Sequence, residues 1–441
     1  ITMVNFLRLS AMGAVAAMAV SLCSCGDDPA PEAQEEGKFG ETDEISTLTV
    51  QQQKQRLENV AVEALNYFRP EDHREAIELA NYFTDAYGDL EIPSFWESIG
   101  ERRSPAAVLL NTANTLRSGD IATLAYGTSI YYYDFPSLAG VYEPGRYEWE
   151  KVSNSNDIVF RFYNASHQLV VLTVSAEGSN NEFTVDPDRY TEVTVVAPRK
   201  ITTTLTSNGN RLLYAVMNVN INEAGHAASY DISADVVNIH AEAAVNATDA
   251  VVTGDSYVTI NGVRLASASA KVNGAGMATR SKIEELIDYG EDYMYTQMFH
   301  NADVAADVLG KVQAKAHLED LQSVFDVSEM DFDHYGYSDK ETARRDCENA
   351  CIRLNNSIKS RLYFDGSNTM EAEILFSPVL DDWSYSWNGN YYSRWEWEKE
   401  PLVKFADGST YSFEGYFDAN RFMSAESSWN RLWDSYSNLW R

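Results

Sequence analysis

The sequence predicts an α+β fold, in which an antiparallel β-meander is accompanied by amphipathic helices that are segregated before, between and after its strands. Three observations predict this class. Apolar residues keep a helical period over residues 47–119, they alternate with polar residues over residues 120–276, and both patterns recur within residues 280–358 and 359–441. No helical pattern interrupts the middle region, which favours antiparallel strand neighbours over a parallel sheet.

Residues 1–24 have the pattern of a lipoprotein signal peptide. The mainly apolar residues 11–22 are too few to span a bilayer, which takes about 20 apolar residues. They end in Leu22-Cys23-Ser24-Cys25, a tract that resembles a bacterial lipobox and implies that Cys25 carries a lipid. Cleavage of an ordinary secretory signal after a small residue is the alternative interpretation.

Residues 25–46 are predicted to form an acidic tether between the lipid and the folded body. They contain eight acidic residues and one basic residue, Lys38, and like charges keep such a chain extended and solvated. The segment resembles the acidic export tag that follows the lipidated cysteine in surface lipoproteins of Bacteroidetes. This resemblance implies an outer-membrane protein that faces the cell exterior, whereas a plain acidic linker is the alternative.

Residues 47–119 are predicted to form three short helices. Pro70 suits the first position of the second helix, and Ser104-Pro105 begins the third. Each helix has a single apolar stripe, so the three cannot form a complete core and should pack on another part of the protein. The stripe of the first helix comprises Leu57, Val60, Ala61, Ala64, Leu65 and Phe68.

Residues 120–276 are predicted to form consecutive antiparallel strands. Asn208-Gly209 and Asn261-Gly262 stand between alternating runs, where an Asn-Gly pair indicates a tight hairpin. Within residues 241–273, small apolar residues alternate in two strands. They are Ala241, Ala243, Val245 and Ala247 in one, and Ala266, Ala268, Ala270 and Val272 in the other. Such a side permits either close docking of helices or a sheet that encloses an apolar guest, and a tight cover formed by helices within residues 281–325 would exclude the guest.

Helices are predicted again within residues 280–358. Ser281 and Ser338 each begin a capping box that opens a helix. A further helix is predicted between them, because its apolar positions lie four residues apart, at Val304, Val308 and Val312.

Residues 359–441 are predicted to form aromatic-rich β-hairpins and a C-terminal helix. The expected elements are strands over residues 362–376 and 391–405, turns at Asn388-Gly389 and Asp407-Gly408, and a helix over residues 424–440. The leader, the tract from Asp134 to Trp149 and the ending from Pro401 to Phe417 resemble a recurring class of Bacteroidetes surface lipoproteins with no assigned chemistry. This resemblance implies an address and a fold rather than an activity.

Charge and motif content exclude several classes of function. Asp and Glu number 66 against 34 Lys and Arg, which gives a net charge of −32 without a basic patch, so nucleic acid is not an expected partner. The sequence contains no P-loop, dinucleotide-binding, zinc-protease or serine-hydrolase motif. No enzyme activity, cofactor or metal site is therefore predicted.

Two smaller features each have a purely structural and a functional interpretation. Cys347 and Cys351 lie four residues apart on an apolar helix face, where buried free thiols are favoured over a strained disulfide. Asp331 and Asp333 begin a tract that resembles a calcium loop, but Tyr335 stands where an oxygen ligand is needed, so an acidic turn is favoured.

The aromatic residues are concentrated near the C-terminus, since seven of nine tryptophans lie in the last 59 residues. A hairpin at Asn388-Gly389 would align several of them on one face. The candidate ligand contacts are Trp383, Tyr385, Trp387, Tyr392, Arg394 and Trp395. An exposed face would stack on sugar rings, whereas a buried face would be core against which Trp429 and Trp433 pack.

The sequence therefore suggests a non-enzymatic binding or structural module that is anchored to the cell envelope by lipid on Cys25. The aromatic face makes a glycan the expected ligand. The alternative hypothesis is a carrier whose small-residue sheet face holds a lipid or another apolar ligand.

Overall fold

A computed structural model describes residues 44–87, 140–142, 150–151, 157–188, 191–221, 227–275, 299–387, 390–412 and 422–439. The predicted signal peptide, Cys25 and most of the acidic tether lie outside these residues. So do the predicted helices that begin at Ser104 and Ser281.

In the part of the chain that the structure describes, seventeen strands form one sheet. They are β1 (Glu44–Ile45), β2 (Gly140–Tyr142), β3 (Glu150–Lys151), β4 (Asp157–Tyr163), β5 (Leu169–Asp188), β6 (Thr191–Ser207), β7 (Asn210–Ile221), β8 (Ala227–Val236), β9 (Ile239–Ala247), β10 (Val251–Ile260), β11 (Val263–Gly274), β12 (Phe299–Val308), β13 (Val312–Leu318), β14 (Ile358–Phe364), β15 (Thr369–Trp387), β16 (Asn390–Phe405) and β17 (Thr410–Ser412). From β4 to β17, each strand pairs antiparallel with the next one along the chain. The predicted α+β class with an antiparallel meander is confirmed.

Five α-helices accompany the sheet in the described part of the chain. They are α1 (Val50–Leu65), α2 (Arg74–Tyr87), α3 (Leu321–Ser328), α4 (Lys340–Ser357) and α5 (Met423–Leu439), and a 3₁₀ turn (Pro70–His73) precedes α2. Thr49 and Gln52 form a capping box at the start of α1. The predicted first, second and C-terminal helices are confirmed, although the second begins as a 3₁₀ turn at Pro70 and becomes α-helical only at Arg74.

The predicted Asn-Gly hairpins are confirmed by their backbone angles. Asn208 and Gly209 have φ of 48° and 82°, and Asn261 and Gly262 have φ of 53° and 76°. Two successive residues with positive φ match the right-handed twist of the flanking strands, and asparagine and glycine tolerate this conformation best.

The helix predicted through Val304, Val308 and Val312 is wrong, because this segment forms strands β12 and β13. Apolar residues that alternate also recur at every fourth position, so the spacing fits both structures. The two strands join at Leu309 and Gly310, which both have positive φ. Leucine is a rare residue in that conformation, and the turn therefore left no clear signal in the sequence.

Two predicted boundaries also need correction. The N-cap of α4 is Asp339 rather than Ser338, since the Asp339 side chain accepts a hydrogen bond from the N–H of Thr342. The strand expected over residues 362–376 is divided into β14 and β15 by a turn at Asp365-Gly366. An acidic residue is as good a cap as a serine, so the sequence does not choose between adjacent candidates.

Strand register gives the meander one apolar face and one polar face. The apolar face continues from strand to strand, through the paired residues Ala243, Ser256, Ala268, Ala306, Ala314, Leu362, Ala372 and Phe405. The polar face carries cross-strand pairs between charged groups. Lys200 lies 2.6 Å from Glu177, and Lys404 lies 2.7 Å from Glu373. The apolar face is therefore the one on which helices can pack.

Every second connection of a meander lies at the same end of the sheet, so the hairpin turns there form a row. Helix α1 lies against two turns of this row. Glu63 of α1 binds Lys311 in the β12–β13 turn at 2.6 Å, and Arg56 pairs with Asp365 in the β14–β15 turn. An apolar cluster joins the N-terminal helices and α5 to the sheet. Its buried members are Phe68, Ile77, Ile260, Leu265, Tyr436 and Leu439.

Helices α3 and α4 lie between β13 and β14 in the chain; α4 packs on the apolar face of β14–β16, and α3 packs on α4 and on β12. Their shared cluster contains Val327, Phe332, Ala343, Cys347, Ala350, Cys351 and Leu354, with Phe376, Trp395 and Trp397 packed against it from the sheet. This cluster decides which side of the C-terminal hairpin is covered.

Candidate functional site

The hairpin of β15 and β16 extends beyond its neighbours in the sheet. Strand β14 pairs with β15 only as far as Ile374, and β17 pairs with β16 only over Leu402–Lys404. The paired residues 377–387 and 390–400 therefore form a two-stranded extension, which we call the ribbon. The ribbon contains every candidate ligand contact that the sequence suggested.

Register divides these candidates between the two faces of the ribbon. Trp383 is opposite Arg394, and Tyr385 is opposite Tyr392, so these four residues share one face. Trp387 has the same strand parity as Trp383 and Tyr385 and shares that face. The alignment expected from a turn at residues 388–389 is confirmed in the pairing, although those two residues themselves lie outside the described ones.

Trp395 does not belong to this set. It is opposite Asp382 and lies on the other face, because neighbouring residues of a strand point to opposite sides. It packs against the α3–α4 cluster together with Trp397, whose Nε1 donates to the carbonyl oxygen of Lys340 at 3.0 Å. Trp395 is thus half-buried on the covered side of the ribbon, away from the other candidate ligand contacts. We call the face with Trp395 the inner face and the face with Trp383 the outer face.

A residue from outside the ribbon adds an aromatic ring near the outer face. Tyr335 is 71% exposed, and the Arg394 guanidinium lies 5.5 Å from the centre of its ring. The segment before Tyr335 runs along β16, where the N–H of His334 donates to Trp395 O and the N–H of Trp397 donates to Phe332 O, each at 3.1 Å. Sequence reasoning considered Tyr335 only as a poor calcium ligand, since nothing in the sequence places it beside β16.

Carboxylates share the outer face by strand parity. Asp381 and Asp333 flank Glu396 on neighbouring backbone segments. Burial raises the pKa of Glu396, and the nearby carboxylates of Glu398 and Asp331 raise it further. The outer face thus combines aromatic residues, a guanidinium and acidic groups that accept hydrogen bonds.

Asp333 forms the acidic turn that the sequence favoured. Its Oδ1 accepts hydrogen bonds from the backbone N–H groups of Tyr335 at 3.0 Å and of Gly336 at 2.9 Å. Within the described ranges, no group of three or more His, Cys, Asp or Glu residues could hold a metal ion.

Cys347 and Cys351 are buried free thiols, as predicted. The Cys347 thiol approaches Trp397 O at 3.6 Å. The hydrogen bond with Cys351 and burial both raise the pKa of Cys347, which keeps it protonated. These thiols pack beneath the inner face and take no part in the outer surface.

The C-terminal helix packs on other helices, whereas a buried aromatic face was expected to pack against its Trp429 and Trp433. Helix α5 packs on α1, the 3₁₀ turn and α2. Its Trp429 and Trp433 stack on each other with ring centres 6.4 Å apart, and Trp433 is 43% exposed. These two tryptophans therefore belong to the helix group of α1, α2 and α5 and do not cover the ribbon.

The middle of the apolar sheet face is a second candidate surface. Many of its small residues are half-buried and Ala314 is exposed, whereas Ala270 and Ala302 are buried. The half-buried residues include Ala241, Ala243, Ser256, Val258, Ala266, Ala268, Val304, Ala306 and Ala316. Residues 299–318 do not form the covering helices that were considered for residues 281–325, because they are strands of the same sheet, whereas α3 packs on β12.

Comparisons with models of protein families, with curated proteins and with solved structures find no match to this chain. Among the described residues, no helix has the length and apolar character needed to span a bilayer.

Proposed function

We propose that this chain is a non-enzymatic, lipid-anchored binding module of the cell envelope, and that it binds glycans on the outer face of the ribbon. One observation carries the proposal. The strand register aligns Trp383, Tyr385 and Tyr392 with Arg394 on the face opposite the α3–α4 cluster. The helices thus pack on one side of the ribbon, and the aromatic set is on the other side.

The chemistry of the outer face suits a sugar polymer. Aromatic rings offer flat apolar surfaces to the C–H groups of a sugar ring, and carboxylates and guanidinium groups form hydrogen bonds with its hydroxyls. Asp381 is exposed and shares the outer face, and Arg394 stands beside Tyr335. An extended ribbon can contact several consecutive sugar residues, which favours a polymer over a small ligand.

The proposed address comes from the sequence. A lipid on Cys25 would hold the chain on the outer membrane, and the acidic residues 25–46 would separate the folded body from the surface. A binding module that faces the cell exterior would meet extracellular or host glycans in this position. The acidic net charge agrees with a neutral ligand rather than a polyanion.

A glycan array tests the binding function. Residues 29–441 are applied as the wild-type chain, as Trp383→Ala and as Trp433→Ala, which removes an exposed tryptophan of α5 as a matched control. We expect the wild type and the control to retain one class of glycan, and Trp383→Ala to lose it. Equal binding by all three proteins, or no binding by any, would contradict the proposal.

The carrier hypothesis stays as a second candidate because many small residues of the apolar face over β9–β13 are only half-buried. An apolar surface that is not fully covered can be a binding site. Native mass spectrometry of residues 29–441, followed by solvent extraction, distinguishes the two hypotheses. A co-purified adduct that extracts as a lipid supports the carrier, whereas a mass without adduct supports the glycan-binding module.

A further inference from the structure

A pocket lies where α1 ends and the chain turns into the 3₁₀ turn. Its volume is about 250 Å³, and it is lined by Glu63, Asn66, Tyr67, Arg69 and Asn261. Asn66 caps α1, with its backbone N–H donating to the carbonyl oxygens of the last turn, and Tyr67 packs against the apolar cluster around Ile260. Asn261 comes from the β10–β11 turn, so a helix end and a hairpin turn together form the walls.

A chain of hydrogen bonds fixes the direction of the Asn261 side chain. Asn238 donates through Nδ2 to Asn261 Oδ1 at 3.2 Å and to Asp72 Oδ2 at 3.3 Å. Its Oδ1 then faces His73 Nε2, 2.7 Å away, so His73 donates from Nε2. His73 Nδ1 accepts from the Tyr436 hydroxyl at 2.6 Å. Because Asn261 Oδ1 is used in this chain, its Nδ2 is available as a donor to the pocket.

The charged walls limit the class of ligand. The Glu63 carboxylate is held by Lys311 at 2.6 and 2.7 Å and keeps further lone pairs for a ligand. Arg69 supplies a guanidinium on the same pocket. The Glu63 carboxylate disfavours an anionic ligand, and the Arg69 guanidinium disfavours a cationic one. A hydroxyl group can donate to the carboxylate and accept from the guanidinium, so a neutral ligand with hydroxyl groups suits both.

We infer that this pocket binds a single neutral, hydroxyl-rich ring, such as one sugar residue. Its hydroxyls bond Glu63, Arg69 and Asn261, and Tyr67 offers an aromatic ring to its C–H groups. The pocket shares no residue with the ribbon and lies on different elements. The inference is therefore independent of the proposed glycan surface.

The test is a titration of residues 29–441 with glucose, galactose, mannose and N-acetylglucosamine, in which saturation-transfer NMR measures the binding. Asn261→Asp keeps the size, the acceptor towards Asn238 and the turn preference, and it removes the Nδ2 donor. The matched control is Asn208→Asp, at the same position of the β6–β7 turn, where φ is 48° against 53° at Asn261. We expect at least one sugar to bind, about fivefold more weakly to Asn261→Asp and unchanged to Asn208→Asp.

Further variants separate this site from the ribbon and from a loss of folding. Arg69 is exposed, so Arg69→Gln should weaken binding of the sugar without lowering the unfolding midpoint. Trp383→Ala should leave the sugar titration unchanged, even if it abolishes binding on the array. No binding of any of the four sugars, equal loss in Asn208→Asp, or stronger binding of acetate or phosphate would overturn the inference.

Discussion

At the scale of single residues, His73 ties three separate elements together. It lies at the end of the 3₁₀ turn, is 5% exposed, and bonds Tyr436 of α5 and Asn238 beside the β8–β9 turn. Burial lowers the pKa of His73 below 6.5, although the Asn238 hydrogen bond and the Asp72 carboxylate oppose this shift. The neutral ring is therefore the form that the native fold stabilises.

The stability of the protein should depend on this histidine below neutral pH. Because the pKa is lower in the folded chain, the stabilisation is present above pH 6.5 and is lost as the pH falls through the folded pKa. We expect the urea midpoint of the wild type to fall with pH in this range, and the fall to be smaller in His73→Gln. His300→Gln, at an exposed position, is the control and should follow the wild type. A wild-type slope in His73→Gln would contradict this role.

The Tyr436 hydroxyl completes the same network. Tyr436→Phe keeps the ring but leaves His73 Nδ1 without its buried donor, which should lower the free energy of unfolding by about 1–3 kcal/mol. Urea denaturation measures this loss at pH 8, where His73 is neutral in both the folded and the unfolded chain. A change within error would mean that the hydrogen bond does not stabilise the fold. None of these partners was suggested by the sequence, since the three residues are far apart in the chain.

At the scale of elements, the β12–β13 hairpin gives the sharpest contrast with sequence reasoning. Gly310 has φ of +67° in its turn, and an added Cβ would meet no atom within 4 Å. Gly310→Ala should therefore destabilise the protein by about 1 kcal/mol through backbone strain alone. In the helix that the valine spacing suggested, the same change would stabilise by about 1 kcal/mol. The sign of the change in urea midpoint distinguishes the two structures.

Gly336→Ala is the matched control for this substitution. Gly336 does not have positive φ, and its Cβ would lie at 3.6 Å from Asp333 Oδ1, which is an ordinary contact. We expect an effect within about 0.5 kcal/mol. A loss as large as that of Gly310→Ala would show that glycine removal, rather than strain at positive φ, sets the cost.

The start of α4 offers a second comparison between adjacent residues. Asp339 accepts the N–H of Thr342 at 2.8 Å, and this bond and the Thr342 hydroxyl lower the pKa of Asp339. Asp339→Ala should destabilise the protein by about 1 kcal/mol, and Ser338→Ala should have almost no effect. Chemical denaturation of the two variants checks the prediction, and the opposite order would restore Ser338 as the cap.

At the scale of the whole molecule, alternation in the sequence was enough to predict the meander and its class. The period of two and the Asn-Gly turns are local, and they persist through the strands from β6 to β11. The shared face of Trp383, Tyr385 and Tyr392 also followed from strand parity. What could not be predicted is contact between distant segments. The packing of α4 on the inner face and the position of Tyr335 beside Arg394 depend on tertiary structure that no local pattern encodes.

The account as a whole rests on a difference between the two faces of the ribbon. Its most direct test measures glycan binding and folding stability in the same two variants, using the glycan that the array identifies. Trp383→Ala should raise Kd about tenfold and leave the urea midpoint unchanged. Trp397→Ala, which breaks the hydrogen bond to Lys340 O and opens the α3–α4 cluster, should lower the unfolding free energy by about 3 kcal/mol and leave Kd unchanged in the folded fraction. If Trp383→Ala instead unfolds the protein without altering Kd, the outer face is core and the account is wrong.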